Sequence, residues 1–145
     1  MSKSRSLARL GAVQALYQQE MEGTATAKLL HEFHQHRLGA TIEDVVYGEA
    51  EIDFFNDVVK GVEARRDEID ALITGKLDHG WKMERLDRTI RQILRAGTYE
   101  LLARRDIPVG SIIGEYLDVA EAFYGLKEKR FINGLLDAVA KVARS

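Results

Sequence analysis

The first nineteen residues carry three cationic side chains, several amide side chains and one tyrosine, and they contain no acidic residue. Two of the arginines are four residues apart, so a helix would place them on one face. RNA recognition needs cations that contact phosphates, together with aromatic or amide groups that contact unstacked bases. We therefore predict one RNA-binding set in this segment: Lys3, Arg5, Arg9, Gln14 and Tyr17. Taken alone, Tyr17 is better explained as a packing residue whose hydroxyl finds a hydrogen-bond partner.

Three further arginines, Arg88, Arg91 and Arg95, lie on one side of a predicted helix at residues 86–102. The other side carries apolar residues at the three-and-four spacing that is typical of a buried face. This pattern predicts a central core helix with a cationic outer face. The arginines are a candidate extension of the RNA-binding set, although solvated arginines on a helix are the more common arrangement. Gly97 interrupts the apolar side, which predicts that another helix crosses it closely.

Candidate metal ligands and catalytic groups are sparse in this sequence. His31 and His34 could bring two imidazoles together, but no third ligand follows at a matching spacing. The sequence contains no cysteine, which excludes disulfides and thiolate metal sites. No glycine-rich nucleotide loop and no supported grouping of serine, histidine and aspartate is present. We therefore predict a protein that is not an enzyme and that uses no metal or cofactor.

Charge is segregated along the 145 residues, although the net charge is only −2. Residues 20–80 hold 14 acidic and 6 basic side chains, whereas residues 81–145 hold 12 basic and 9 acidic ones. This distribution favours a local basic surface for a polyanion, with the acidic segment elsewhere. No signal sequence is recognisable, and no apolar segment approaches the roughly 20 residues of a membrane span. A cytoplasmic protein without membrane contact is expected.

Helical periodicity runs through the chain and strand-like alternation is absent, which predicts an all-α fold. We expect a compact bundle of about six to seven helices in a single domain over residues 1–145. Two packed sub-bundles are expected at roughly 1–80 and 81–145. The predicted helices cover residues 4–21, 27–38, 50–77, 86–102, 108–123 and 128–142, and residues 39–48 are predicted to form a loop.

Two bulky aromatic residues are predicted to belong to the core. Trp81 lies in a break before the central helix, where we expect it to close the end of the core. Phe123 shares a helical face with Tyr116 and Ala120, so it is expected to point inward.

The last helix begins with unfavourably placed charges. Lys127, Lys129 and Arg130 crowd its first turn, where the helix dipole disfavours cations. This placement predicts either an acidic neighbour or a ligand phosphate. Asn133 and Gly134 in the same helix are expected to join helices through a polar side chain and a close backbone approach.

Three segments, taken together, resemble a known family. The first is A-V-Q-A-L-Y at residues 12–17, after the basic stretch. The second comprises L-D-R, L-R-A-G-T-Y-E-L and D-I-P within residues 86–108. The third comprises A-F-Y-G and F-I-N-G-L-L-D within residues 122–137. This combination is specific, and over essentially its whole length the chain resembles the NusB family of bacterial transcription antitermination factors.

The resemblance implies an all-helical fold of two packed sub-bundles. It also implies that the protein binds the boxA element of nascent ribosomal RNA leader transcripts as a heterodimer with the ribosomal protein NusE. That complex joins other Nus factors on RNA polymerase to suppress termination. In the family an arginine-rich N-terminal segment contacts RNA, and Lys3, Arg5 and Arg9 occupy that segment here.

This chain departs from the family pattern at two places. Gly114 stands ahead of Glu115 where an asparagine is common. Residues 127–130 read K-E-K-R where relatives commonly have an acid-and-serine turn near the NusE interface. Because the N-terminal segment has few cations, we expect the isolated protein to bind RNA weakly and NusE to strengthen that binding.

Two other classes of function stay open at this point. A helical adaptor that binds only proteins, or a homodimeric interaction module without specific RNA binding, would use its basic face for solvation alone. The free protein would then be either a monomer or a homodimer. NusB-like domains also occur ahead of ribosomal RNA cytosine methyltransferases, but that activity would need a catalytic cysteine and a cofactor-binding domain.

Overall fold

The computed structural model describes residues 3–23, 25, 28, 49–78 and 81–145. Within these residues the chain forms six α-helices and no β-strand, so the predicted all-α fold is confirmed. The helices are α1 (Lys3–Glu22), α2 (Glu49–Ala64), α3 (Arg66–Thr74), α4 (Arg88–Ala103), α5 (Val109–Glu121) and α6 (Leu126–Ala143), and a short 3₁₀ turn spans Met83–Arg85. The predicted helix at residues 27–38, with His31 and His34, falls almost entirely outside the described residues, as does the loop at 39–48.

Helix α4 lies at the centre of the described bundle and contacts each of the other five helices described above. Every residue from Ile90 to Leu101 is buried. The prediction of a central core helix is therefore confirmed. The prediction of an exposed cationic outer face is wrong, because α1 and α3 pack against that side and supply acidic partners for its arginines.

Two glycines allow helices to cross closely. A Cβ atom at Gly97 would lie 3.1 Å from the Leu136 Cδ2 atom of α6, which confirms the close crossing predicted from its place in the apolar stripe. At Gly61 in α2 a Cβ atom would overlap the Tyr99 ring, so only glycine accommodates that ring. These contacts offset the lower helix propensity of glycine.

Local signals explain where the helices begin and end. The Asp87 carboxylate accepts hydrogen bonds from the backbone N–H groups of Thr89 (3.0 Å) and Ile90 (3.2 Å), which caps the start of α4. Gly23, with a φ angle of +66°, ends α1 in the left-handed conformation that glycine adopts without strain. Pro108 precedes α5, where its missing N–H group is not needed.

Two predicted boundaries differ from the structure. The helix predicted over residues 50–77 is broken at Arg65 (φ −115°, ψ 22°), which separates α2 from α3. The last helix begins at Leu126, two residues earlier than predicted, because Gly125 adopts an extended conformation immediately before it. None of the described helices combines the length and apolar character that a membrane crossing requires.

The ends of α4 and α6 are joined by two arginines. Arg144 donates hydrogen bonds to the carbonyl oxygens of Leu101 (2.6 Å), Arg104 (2.9 Å) and Ile107 (3.2 Å). In return, Arg105 donates to the carbonyl oxygen of Ala143 (2.8 Å). Carbonyl groups at a helix C-terminus lack partners within the helix, so these guanidinium groups satisfy them and fix the two helix ends together.

Candidate nucleic-acid interface

Most exposed large apolar side chains of the described residues lie at one end of the molecule, around the start of α4. The end of α1 lies beside the start of α4, where the Met21 sulfur accepts a hydrogen bond from Arg88. The turn between α5 and α6 lies in the same region. We call this region the aromatic end, and its exposed apolar residues are Tyr17, Met21, Trp81, Phe123, Leu126 and Phe131. Clustered exposed apolar side chains mark binding surfaces on soluble proteins.

The first cavity at the aromatic end has a volume of about 370 Å³, and we call it the tryptophan groove. Trp81, which is 53% exposed, and Phe131, which is 41% exposed, both line it. Leu77, Leu86 and Ile90 supply further apolar lining. Exposed aromatic rings around a groove can stack on bases that are splayed out of a single strand. The prediction that Trp81 closes the core is wrong, because its side chain is largely exposed and lines this groove.

Charged residues also line the tryptophan groove. Arg85 and Lys127 are exposed there, together with three acidic residues, Asp78, Asp87 and Glu128. Two of the acids are engaged or covered, since Asp87 caps α4 and the Glu128 Oε2 atom is buried. Among the described residues neither cation forms an ion pair. The cations are therefore the groups that an incoming phosphate would meet first.

Asp87 also positions the turn between α5 and α6. The Tyr124 hydroxyl donates a hydrogen bond to the same Oδ1 atom that caps α4. Burial opposes ionisation of Asp87, but the hydrogen bonds from Tyr124, Ile90 and Thr89 outweigh it and lower the pKa of the carboxyl group. Burial and the bond to Asp87 raise the pKa of Tyr124 to about 12. One carboxylate thus fixes both the start of α4 and the turn that carries Phe123.

A second cavity, of about 460 Å³, lies on the other side of that turn, and we call it the tyrosine groove. It is lined by Val13, Gln14, Tyr17, Gln18, Met21, Glu22, Thr89 and Phe123. None of these residues is a cation. The prediction that Phe123 points inward is wrong, since its side chain is 44% exposed and faces this groove. Tyr17 also lies at the surface, at 38% exposure.

Arg9 is a core residue in this structure. Its guanidinium group is fully buried and donates from Nε to Glu100 Oε2 and from Nη2 to Glu100 Oε1, both at 2.9 Å. The Tyr116 hydroxyl also donates to Glu100, and Glu115 Oε2 lies 3.7 Å from Arg9 Nη1. Burial lowers the pKa of Arg9, but the bonds and charge of Glu100 outweigh it, so the pKa is raised. A buried, paired guanidinium group is not available to phosphate, so we remove Arg9 from the candidate RNA set.

Arg5 and Lys3 lie at the far end of α1 from the aromatic end. The Arg5 guanidinium carbon lies 4.4 Å from the centre of the Phe54 ring, and that of Arg9 lies 4.8 Å from it. The predicted shared face of these two arginines is thus confirmed. Tyr17 is twelve residues further along the helix than Arg5, which corresponds to about 18 Å. The five residues of the predicted set therefore do not form one compact site.

The three arginines of α4 have different environments. Arg95 forms a two-point ion pair with Asp70 at 2.9 Å, and Arg91 pairs with Glu20. Both arginines are buried, so the predicted solvent-accessible extension fails for these two. Arg88 is exposed at the edge of the aromatic end. Acidic partners on α1 and α3 decided this outcome, and a single-helix pattern contains no information about them.

Comparison with known proteins identifies the family. The NusB family model matches residues 6–141 of the chain. The chain belongs to the NusB family. It is 64% identical over 143 residues to the transcription antitermination protein NusB of Sphingopyxis alaskensis, covering 99% of this chain and 96% of that one. It is also 64% identical to the NusB protein of Novosphingobium aromaticivorans over 142 residues, covering 98% and 96%.

Solved structures show the same fold. A crystal structure of T. maritima NusB has 29% sequence identity and a TM-score of 0.81, and the match covers 97% of this chain and 93% of that one. A structure of the antitermination factors NusB and NusE in complex with double-stranded RNA has 24% identity and a TM-score of 0.83, covering 98% and 99%. This NusB chain is therefore a transcription antitermination factor of the family, with the family's helical architecture.

Sequence reasoning missed the tryptophan groove, but one signal pointed to it. The cations at the start of α6 were expected to meet an acidic neighbour or a ligand phosphate. Lys129 meets an acid, since its Nζ lies 3.5 Å from Glu121 Oε1. Lys127 instead faces the tryptophan groove beside Phe131. The departure from the NusB pattern at residues 127–130 thus places this chain's own cations at the aromatic end.

No group of three or more histidine, cysteine, aspartate or glutamate side chains that could hold a metal ion occurs among the described residues. His31 and His34 lie outside those residues, so the structure does not test the weak metal signal of that pair.

Proposed function

We propose that this NusB chain binds the boxA element of ribosomal RNA leader transcripts together with the ribosomal protein NusE, and thereby supports antitermination. Family membership supports this proposal, and a fold relative has been crystallised with NusE and double-stranded RNA. The observation on which it rests in this chain is the tryptophan groove. Two exposed aromatic rings and two cations that form no ion pair with a described residue match the chemistry of an unstacked base and its phosphate.

In this proposal the RNA occupies the tryptophan groove. Trp81 and Phe131 stack on bases, and Lys127 and Arg85 contact phosphates. Lys3 and Arg5 add positive potential from the other end of α1, through longer-range attraction or contact with a flanking part of the transcript. Because few cations are involved, the isolated chain should bind RNA weakly and with a shallow salt dependence.

The tyrosine groove suits the protein partner better than the RNA. The described residues of its lining combine Tyr17, Met21 and Phe123 with amide groups and include no cation. Aromatic residues and methionine are enriched at the centres of protein interfaces. We therefore propose that NusE binds here, and that Gln14 and Tyr17 contact NusE rather than RNA. The two grooves flank one turn, so both ligands can be bound at once.

The deciding experiment measures the affinity of the chain for boxA RNA and for a scrambled RNA of equal composition, with and without NusE. We expect boxA to be preferred and NusE to raise the affinity. Replacing Trp81 by alanine should weaken RNA binding about tenfold, within the range for loss of one stacked base. Val142, an exposed apolar residue at the other end of α6, supplies the control V142A, which should leave RNA affinity unchanged.

A protein-only adaptor is the second candidate function, and the exposed apolar residues of the aromatic end favour it. If the chain is such an adaptor, boxA RNA and the scrambled RNA should bind equally weakly, and NusE should still bind. In that case Y17A would lower NusE affinity, whereas W81A would leave every RNA measurement unchanged.

A further inference from the structure

Gly134 is a helix-interior glycine that the fold itself does not require. It lies in the middle of α6 and is exposed, and apart from its own helix backbone a Cβ atom there would meet no atom of the described residues within 4 Å. The predicted close approach of another helix at this position is therefore wrong. Gly97 and Gly61 differ in this respect, because Leu136 and Tyr99 occupy the space in which their Cβ atoms would lie.

An exposed glycine inside a helix destabilises it relative to alanine, because glycine loses more backbone freedom on folding. No side chain of the described residues offsets this cost at Gly134. The remaining benefit of a glycine is that another backbone can approach the helix closely. The position thus suggests a ligand from outside the chain.

A third cavity, of about 270 Å³, lies directly against Gly134. Lys76 and Arg130 both line it and both are exposed, and Asp78 is its acidic residue. Phe131 lines this cavity and also the tryptophan groove, so the two cavities adjoin each other. A strand with one base against Phe131 would therefore reach the space over Gly134 with its neighbouring backbone.

We propose that the sugar–phosphate backbone of the bound RNA crosses α6 directly over Gly134, between Lys76 and Arg130. This inference rests on the proposed RNA-binding function and assigns the path of the strand beyond the tryptophan groove. The two cations favour a polyanion over a peptide segment at this position. Gly134 acts as a positioning residue, because it admits the backbone without contributing a side chain.

The test compares G134A with G114A in the full-length chain with NusE and boxA RNA. Gly114 is the matched control, because it is also inside a helix and a Cβ atom there would likewise meet no described residue within 4 Å beyond its own helix backbone. It lies beside Glu115, at the Arg9 contact rather than on α6. Both variants should raise Tm by about 3 °C, since alanine favours helix and neither site is crowded.

Only G134A should weaken boxA binding, by about tenfold, comparable to the loss of one well-placed base contact. K76Q and R130Q should each lower the slope of log affinity against log salt by about 1, as expected for one lost phosphate contact. A protein that is more stable but binds RNA less tightly cannot be explained by a structural role of Gly134.

Unchanged RNA affinity in G134A would overturn the inference while leaving the tryptophan groove intact. Loss of NusE affinity in G134A without RNA present would instead assign the surface to the protein partner, and would also overturn it. If the unmodified chain with NusE fails to distinguish boxA from scrambled RNA, the proposed function itself fails, independently of Gly134.

Discussion

The two ends of helix α4 use their cations in opposite ways. At its C-terminal end, Arg9 pairs with Glu100, Arg104 pairs with Asp57 at 3.2 Å, and Arg144 donates to backbone carbonyl oxygens. At its N-terminal end, Lys127 and Arg85 stay exposed in the tryptophan groove beside aromatic rings. Positive charge by itself does not distinguish the two ends. The burial and ion pairing of the cations do.

Helix electrostatics explain part of this difference. The carbonyl groups at the C-terminus of α4 need donors, so Arg144, which directly follows α6, binds there and becomes part of the fold. The N-terminus of α6 offers no such partner for Lys127, since N–H groups and a positive dipole end repel cations. Cations that remain where the fold disfavours them are the better guide to a ligand.

The largest effect should come from the buried ion pair. R9M leaves Glu100 buried without its partner, and we expect a loss of about 3–5 kcal/mol in the free energy of unfolding. Urea denaturation measures this change. The control R5Q should cost at most about 1 kcal/mol, because Arg5 is only partly buried. If R9M instead kept full stability and lost RNA affinity, the assignment of Arg9 to the core would be wrong.

Removal of the arginine at the end of α6 should have the next largest effect. R144A deletes hydrogen bonds to several carbonyl oxygens, and we expect a loss of about 2 kcal/mol in unfolding free energy. RNA affinity of the folded protein should not change. K141A on the same helix removes an exposed ion pair with Asp137 and should cost less than about 0.5 kcal/mol. Equal losses in the two variants would argue against the capping role.

A salt titration compares two lysines of α6. K127Q should reduce the slope of log affinity against log salt for boxA RNA by about 1, because Lys127 faces the tryptophan groove. K141Q should leave the slope unchanged, since Lys141 lies at the other end of α6 and is 77% exposed. Identical slopes in both variants would mean that the aromatic end offers no special phosphate contact.

The smallest effect concerns the acid dependence of stability. The pKa of Asp87 is lower in the folded protein than in the unfolded chain, so its charge stabilises the fold above the unfolded value of about 4. That stabilisation is lost as pH falls through the folded pKa. In D87N the asparagine still caps α4 but carries no charge. The stability advantage of the unmodified chain over D87N should therefore be constant from pH 5 to 8 and shrink below pH 4, as measured by urea denaturation at each pH. An advantage that grows on acidification would contradict the lowered pKa.

Local sequence patterns predicted the helices and their boundaries well where the signal lies within one segment. The apolar stripe around Gly97 predicted a central helix and a close crossing, and Pro108 predicted a boundary. The same local patterns predicted poorly whether a side chain near a helix end is buried. Trp81 and Phe123 were expected in the core, but an apolar side chain near a helix end can face either the core or a groove, and its own helix does not decide which.

The amino-acid sequence by itself determined the all-α class, the central helix and the family. Each of these depends on residue spacing within a segment or on the combination of motifs along the chain. Only the tertiary structure decided which cations are free. Glu100 for Arg9, Glu20 for Arg91 and Asp70 for Arg95 come from other helices. A charged side chain becomes part of the core when packing places an opposite charge beside it and excludes water. That pairing depends on how the helices assemble.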